Sequence, residues 1–283
     1  MTPIFSGSQA LSSGRLTRHR LRTGFVAVHP DVYVPEFSEM TTTDRARAAV
    51  LWSKGGGVVA GVTASALHGA RWVGNDEPIE LIWRNQHAPA GVVTRNERIA
   101  ADEIVVLDGI ATTALHRTAL DLGRHLARGP AVARLDALAH ATGVSAADVE
   151  PLLARYRGGR GVSRARDAIA LMDPGGTSPK ETWLRLLVID DGLPKPQSQF
   201  RIHNGDYYPL AFLDLAWPEY MVALEYDGDQ HRTDRKQYRK DISRLRMLER
   251  MGWIVVRVVA EDHPLDVVHR VREVLVGRGW SDT

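Results

Sequence analysis

Phe212-Leu213-Asp214-Leu215-Ala216-Trp217, then Val222-Ala223-Leu224-Glu225-Tyr226-Asp227-Gly228, is the stretch whose reading decides the fold of the C-terminal half. Both segments are rich in aliphatic and aromatic β-formers, and Trp217-Pro218-Glu219-Tyr220 between them carries turn chemistry, so the pair reads as a β-hairpin. A loop over 217–220 sets residue 216 against 221, and hence 214 against 223 and 212 against 225. Because side chains alternate faces, Asp214 and Glu225 then share one face as diagonal neighbours, with Cβ atoms roughly 5–8 Å apart. The flanking Leu, Ala, Phe and Val show little polar alternation, so both strands read as buried on both faces rather than half solvated. A buried carboxylate without a partner is costly unless it is protonated or neutralised by a cation. The two acids therefore read as a grip for one divalent ion.

Working outward, Ser178-Pro179-Lys180-Glu181-Thr182-Trp183-Leu184 follows a Pro-Gly-Gly break and reads as a helix start. Thr177 or Ser178 caps it, Pro179 suits the first turn, and Glu181 suits the positive end of the helix dipole, which gives that acid a structural role of its own. Beyond the hairpin, Asp229-Gln230-His231-Arg232 leads into a charged segment with Tyr238, Lys240, Asp241 and Arg244. Leu245 to Val258 then reads as a helix passing into a buried strand, with Gly252 as the helix C-cap.

Helix with Glu181, strand with Asp214, strand with Glu225, charged helix and strand follow the order of the PD-(D/E)XK nuclease superfamily. More closely, Phe212 to Trp217, Val222 to Gly228 with His231, and Asp241-xx-Arg244 through Gly252-Trp253-Ile254-Val255-Val256-Arg257 resemble the very-short-patch-repair (Vsr) endonucleases, over about residues 174–280. The resemblance implies a restriction-endonuclease-like αβββαβ domain, DNA as partner, Mg²⁺ (or Mn²⁺) as cofactor on Asp214 and Glu225 with the Tyr226 carbonyl as a further ligand, and Glu181 as a site residue. Such an ion polarises the scissile phosphate and acidifies a water, and Mg²⁺ asks for only one or two protein carboxylates. One departure matters: the superfamily places a Lys two residues after the second acid, where this chain has Asp227, read here as the start of the turn with Gly228. Gln230, His231 and Lys240 are the candidate replacements, His231 first because an imidazole titrates near neutrality.

In the N-terminal part, Ser12-Ser13-Gly14-Arg15-Leu16-Thr17-Arg18-His19-Arg20-Leu21-Arg22-Thr23-Gly24 reads as a cap and a short basic helix, followed by two short strands about Pro30-Asp31. A helix followed by a β-wing is the end of a winged helix-turn-helix, and Arg15, Arg18, Arg20 and Arg22 suit phosphate contacts. Residues 10–125 resemble the AbiEi-type antitoxin proteins, through that helix with Val32-Tyr33-Val34, through Thr63 to Gly69, and through Asp108-Gly109-Ile110-Ala111-Thr112-Thr113 with Arg117-Thr118-Ala119-Leu120-Asp121. This resemblance implies a transcriptional regulator with a cognate toxin as partner. Within 41–172, Ile79 to Trp83, Val92 to Arg95 and Ile104 to Leu107 read as strands. Thr63 to Gly69, Thr113 to Arg128, Pro130 to Thr142, Ser145 to Tyr156 and Val162 to Met172 read as helices, and Arg157-Gly158-Gly159-Arg160-Gly161 as a loop.

The 283 residues suffice for two domains, and a net charge of only +2 excludes a polycation. Of the 36 basic side chains only Lys54, Lys180, Lys195, Lys236 and Lys240 are lysine. Arginine forks suit phosphate, although a G+C-rich genome produces the same bias. With no cysteine there is no disulfide, thiolate metal site or cysteine nucleophile. No apolar run reaches membrane-spanning length, so no membrane partner and a cytoplasmic location are expected. The expected organisation is α/β: a partial winged-helix region over 1–40, an AbiEi-like α/β region with helical connector over 41–172, and a Vsr-like nuclease fold over 173–283. The function expected is a Mg²⁺-dependent DNA endonuclease in repair or defence, with a DNA-binding regulator or antitoxin carrying a non-catalytic nuclease fold as the alternative.

Overall fold

The computed structural model describes residues 2–84, 87–203, 209–228 and 235–281, with backbone only for 235–239. The chain is mixed α/β and divides into two compact units, Met1–Met172 and Asp173–Thr283.

The N-terminal unit opens with β1 (Phe5–Ser6), α1 (Gly7–Ser12), α2 (Arg18–Gly24), β2 (Phe25–His29) and β3 (Val32–Pro35). Where the sequence suggested a basic helix beginning near Ser12, α1 ends there and α2 begins only at Arg18, because Thr17 caps a fresh start by accepting from the Arg20 N–H at 3.2 Å. Arg15 consequently lies in the turn before α2, while Arg18, Arg20 and Arg22 are on it. Asp31, at the tip of the β2–β3 hairpin with φ 63°, accepts from Ser6 Oγ at 2.6 Å and Ser8 N at 2.7 Å, which ties the start of α1 to the wing. β1 pairs with β3, so the small antiparallel sheet runs β1-β3-β2.

Next come α3 (Thr42–Trp52), β4 (Val58–Val59), α4 (Gly61–Leu67), β5 (Ile79–Ile82), β6 (Val92–Arg95), β7 (Ile104–Leu107) and β8 (Ile110–Thr113). The second sheet runs β6-β5-β4-β8-β7, and α3 touches both sheets through small side chains: Ala46 and Ala49 are fully buried against Val59, Ile79, Leu81 and Ile110. Asp108 and Gly109, both at positive φ, form the two-residue β7–β8 turn whose twist matches paired strands. Four helices complete the unit: α5 (Leu115–His125), α6 (Arg128–Thr142), α7 (Ala146–Arg155) and α8 (Val162–Ala170). α5 packs on the other three. Arg117 of α5 is fully buried and fully engaged: its Nε bonds Asp121 at 2.9 and 3.1 Å, Nη1 bonds Glu103 at 2.5 Å, and Nη2 bonds Glu97 at 3.0 Å. Tyr156 lies beneath the guanidinium, 5.2 Å from ring centroid to Cζ. His68, just past the end of α4, meets the Thr113 carbonyl at 2.8 Å.

The C-terminal unit runs α9 (Pro179–Asp190), β9 (Gln197–Ile202), β10 (Ala211–Trp217), β11 (Val222–Tyr226), α10 (Arg235–Arg250), β12 (Ile254–Val258) and α11 (Pro264–Gly277). Its sheet runs β12-β11-β10-β9, with β11 and β12 parallel and the other pairs antiparallel. Leu184 and Val188 of α9 and Val267, Val271 and Leu275 of α11 cover one face over Leu215, Trp217, Val222 and Leu224. Leu248 of α10 packs over Ala216 and Ala223. Trp217 belongs to the strand rather than the turn: it is fully buried, and its Nε1 donates to the Pro194 carbonyl at 2.6 Å. The turn is instead the 3-10 stretch Pro218–Tyr220 closed by Met221 at φ 56°. This moves the register, so that Ala216 faces Ala223, not residue 221.

Candidate functional site

That register has a direct effect on the acids. Leu215 pairs with Leu224, so the next position along sets Asp214 opposite Glu225 instead of on a diagonal. Both acids remain on one face, as alternation requires, and directly opposed Cβ atoms lie closer than diagonal ones, about 4.5–5.5 Å. They line a cleft of about 390 Å³ together with Phe212, Tyr226, Asp227, Asp241, Arg244 and Arg257.

The two acids differ in their partners. Glu225 is buried, 8% exposed, and both its oxygens are held by the Arg244 fork, one bond being 3.0 Å. Arg244 also donates to the Phe212 carbonyl at 2.6 Å, which fixes the guanidinium between the two strands. Asp214 accepts the Tyr226 backbone N–H at 3.2 Å, and no basic side chain is bonded to it among the described residues. Burial first, then the negative charges of Glu181 and Glu225, push its carboxyl up to about 7, against the pull of the Tyr226 N–H and Arg244.

Glu181 is 8% exposed in the first turn of α9. Its oxygens accept from Thr177 N at 3.1 Å, from Thr177 Oγ1 at 2.8 and 3.0 Å and from Gln199 Nε2 at 3.1 Å, while its own N–H is capped by Ser178. Gln199 is unusual. The β9–β10 pairs 213–200 and 215–198 flank it, but at φ 49° its backbone leaves the ladder opposite Asp214. A left-handed non-glycine residue in a strand costs about 1–3 kcal/mol, and such strain collects at functional sites.

The other expected residues are distributed as follows. In a strand a residue's N–H and C=O project to the same side, so the Tyr226 carbonyl is directed toward the side where its N–H meets Asp214. Asp227, two residues after Glu225, pairs with Arg257 at 2.5 Å, and its N–H bonds the Val258 carbonyl at 2.7 Å. Lys240 is exposed on α10. Gln230 and His231 lie outside the described residues. Arg15, Arg18, Arg20 and Arg22 are all exposed, and none is paired with a carboxylate among the described residues. Sequence reasoning did not assign Arg244, although it lay in the quoted Asp241-xx-Arg244 motif, nor Gln199, which no pattern marked. It also passed over Lys180, beside Glu181, whose Nζ sits 5.3 Å from the Tyr226 ring centroid.

The donor set suits a hard cation: Asp214 is a carboxyl with a raised pKa and free lone pairs, opposite a second carboxylate, and magnesium keeps most of its water when it binds protein. The tightest trio of potential ligands among the described residues lies elsewhere, at Glu97, Asp121 and His125, whose ligand atoms fall within 4.8 Å of one another. There Arg117 and Arg124 already occupy the oxygens, at 3.0 and 2.7 Å on Glu97, so those acids need no ion.

No family model matches the chain. Uncharacterized proteins from two strains of Mycobacterium tuberculosis are each 33% identical to it over 156 residues, which is 55% of this chain and 57% of theirs. The chain thus spans little more than half the length of these curated relatives.

Proposed function

We propose that the C-terminal unit is a Mg²⁺-dependent DNA endonuclease domain of the restriction-endonuclease-like, Vsr-related type, acting in repair or defence. On this reading the N-terminal unit is AbiEi-like, with a partial winged helix that holds DNA. The observation carrying this reading is the opposition of Asp214 and Glu225 at one strand pair, with no basic side chain bonded to the first acid among the described residues. Bound there, Mg²⁺ would polarise the scissile phosphate and acidify a water.

The chain's own groups have definable tasks. Arg244 orients Glu225 and returns part of its charge, and the Tyr226 N–H aims Asp214 into the cleft. Thr177 and Gln199 fix the orientation of the Glu181 carboxyl through the N–H and O–H bonds it accepts. Support for DNA as substrate comes from α2 and its exposed arginines, and from the order strand, helix, helix, hairpin in which they stand. No described helix is long and apolar enough to cross a membrane.

A second reading, a DNA-binding regulator or type IV antitoxin with a non-catalytic nuclease fold and a cognate toxin as partner, draws on two pairs. Arg244 occupies both oxygens of Glu225, and Asp227 is bound to Arg257 where a catalytic lysine would stand. The deciding experiment incubates the purified chain with supercoiled, linear, mismatched and single-stranded DNA in Mg²⁺, Mn²⁺ or EDTA, beside Asp214→Asn. Cleavage that needs the metal and fails in the variant supports the enzyme. Absence of cleavage on every form, with DNA still bound, supports the regulator.

A further inference from the structure

In the N-terminal unit, away from α2, a cleft of about 720 Å³ is lined by Arg95, Arg124, Arg160, Arg164, His125 and Glu97, with Gly159, Gly161 and Ser163. Its one lining carboxylate, Glu97, is already taken by Arg117, Arg124 and His125, at 3.0, 2.7 and 3.0 Å. Arg95 is paired with Glu80. That leaves Arg160 and Arg164 exposed and without a carboxylate partner among the described residues, so the cleft carries surplus positive charge.

The wall holding these two arginines is fixed. Arg124 Nε donates to the Arg160 carbonyl at 3.1 Å, and Arg164 donates back to the Arg124 carbonyl. Gly161 sits at φ 78°, and a Cβ there would lie 2.8 Å from the Arg124 carbonyl oxygen, so the loop can press onto the end of α5 only as glycine. Gly161 is also the N-cap of α8 and brings no side-chain acceptor to the first N–H groups of that helix. The fixed backbone thus sets two guanidinium forks on one wall, that of Arg164 held by the Arg124 carbonyl, and such forks match the oxygens of a phosphate group.

We propose that this cleft binds a phosphate ester, with Arg160 and Arg164 as principal ligands and Arg124 as the floor. The ester is carried either by a nucleic acid backbone or by a free nucleotide. The site is independent of the endonuclease reading, and binding is measured in EDTA so that cleavage cannot enter.

The test uses the full chain with Arg18, Arg20 and Arg22 changed to alanine, which removes the contribution of α2. Into this background go Arg160→Ala with Arg164→Ala, or both as lysine. Affinity for labelled duplex DNA is followed against salt, and melting temperature against deoxyadenosine monophosphate and inorganic phosphate. For a backbone ester, the alanine pair weakens DNA binding about tenfold and flattens the log–log salt slope by roughly 2, while the lysine pair keeps most of the slope. For a free nucleotide, the monophosphate raises the melting temperature of the parent but not of the alanine pair, and DNA binding is unchanged. Equal DNA affinity, equal slope and equal melting response in parent and alanine pair overturn the proposal. The substituted side chains are exposed, and unchanged melting without ligand confirms that the fold is intact.

Discussion

Asp214 and Glu225 stand opposite each other on β10 and β11, yet of the two only Glu225 is gripped by a guanidinium among the described residues, that of Arg244. Burial and two neighbouring carboxylates hold the Asp214 carboxyl near 7, above its ordinary 3.8. The native state therefore binds this proton more tightly than the unfolded chain does. Ionisation of Asp214 opposes folding by an amount that is absent below about pH 4, grows as pH rises to 7 and is constant above. In EDTA, Asp214→Asn should melt above the wild type at pH 8 and level with it at pH 4. Added Mg²⁺ should raise the wild type at pH 8 and leave the variant unmoved, because only an intact ligand pair couples the ion to folding. A wild-type melting temperature indifferent to Mg²⁺ and Mn²⁺ would remove the metal site.

Arg117 gives the opposite case, a buried charge that is fully paired. Its guanidinium meets Asp121, Glu103 and Glu97 with no exposure to water. Truncation leaves those carboxylates buried with one partner fewer, so Arg117→Ala should destabilise the N-terminal unit by about 3–5 kcal/mol. Arg117→Lys keeps the charge but not the fork and should lose nearly as much. Chemical denaturation read by a probe in residues 1–172 checks both, and a loss below about 1 kcal/mol would reduce the cluster to the level of a surface pair.

Glu97 adds a pH signature. Burial raises its pKa, but bonds from His125 and Arg124 outweigh this and bring it from 4.5 to about 2. The native state holds this proton less tightly than the unfolded one, so the stability it contributes is present above pH 4.5 and lost as pH falls toward 2. Glu97→Gln should remove stability at pH 6 but little at pH 2, and equal losses at both would assign the effect to packing.

These features were unequally legible in the sequence. Asp214 and Glu225 were readable because a carboxylate in an apolar run is a local anomaly, and period-two alternation survives the slide from Trp217–Tyr220 to Pro218–Met221. Their direct opposition was not readable, since it depends on Met221 entering the left-handed region and on Trp217 being drawn under Pro194. β1 and α1 escaped because two residues of strand and a Gly-Ser-rich helix carry no periodicity. Their order is set by Asp31, distant in sequence, bonding Ser6 and Ser8. The pairing of Arg117 with Asp121 one helical turn on, and with Glu97 and Glu103, went unread, because only the fold brings those acids to the same guanidinium.

The basic helix yields a binding prediction. Arg18, Arg20 and Arg22 are exposed on α2, whereas Arg15 precedes it. If the helix meets the duplex backbone, replacing two of the three should flatten the log–log salt dependence of DNA affinity by roughly 2, each contact releasing about one counterion. Arg15→Ala tests the turn separately, and its effect should be smaller because the residue is not held by helical geometry. An unchanged slope after the double replacement would leave α2 a solvated helix.

The last question is which group moves the proton in the proposed cleavage. On the proposed reading a lysine would be expected two residues after Glu225, where this chain has Asp227 paired with Arg257 at 2.5 Å. Lys240 is exposed on α10, so Lys240→Met should leave turnover unchanged. His231 follows Gly228 by three residues in the sequence, and an imidazole near neutrality can both take and return a proton. His231→Ala should cut the single-turnover rate by roughly 10²–10⁴-fold with little change in DNA affinity, since general acid–base groups act in the transition state. Both quantities are measured on one preparation, with Gln230→Ala and Lys180→Met alongside. Equal rates for His231→Ala and wild type would move the role to Gln230 or to Lys180, whose ammonium already lies over Tyr226. A rate loss matched by an equal affinity loss would make His231 a DNA contact instead of an acid–base group.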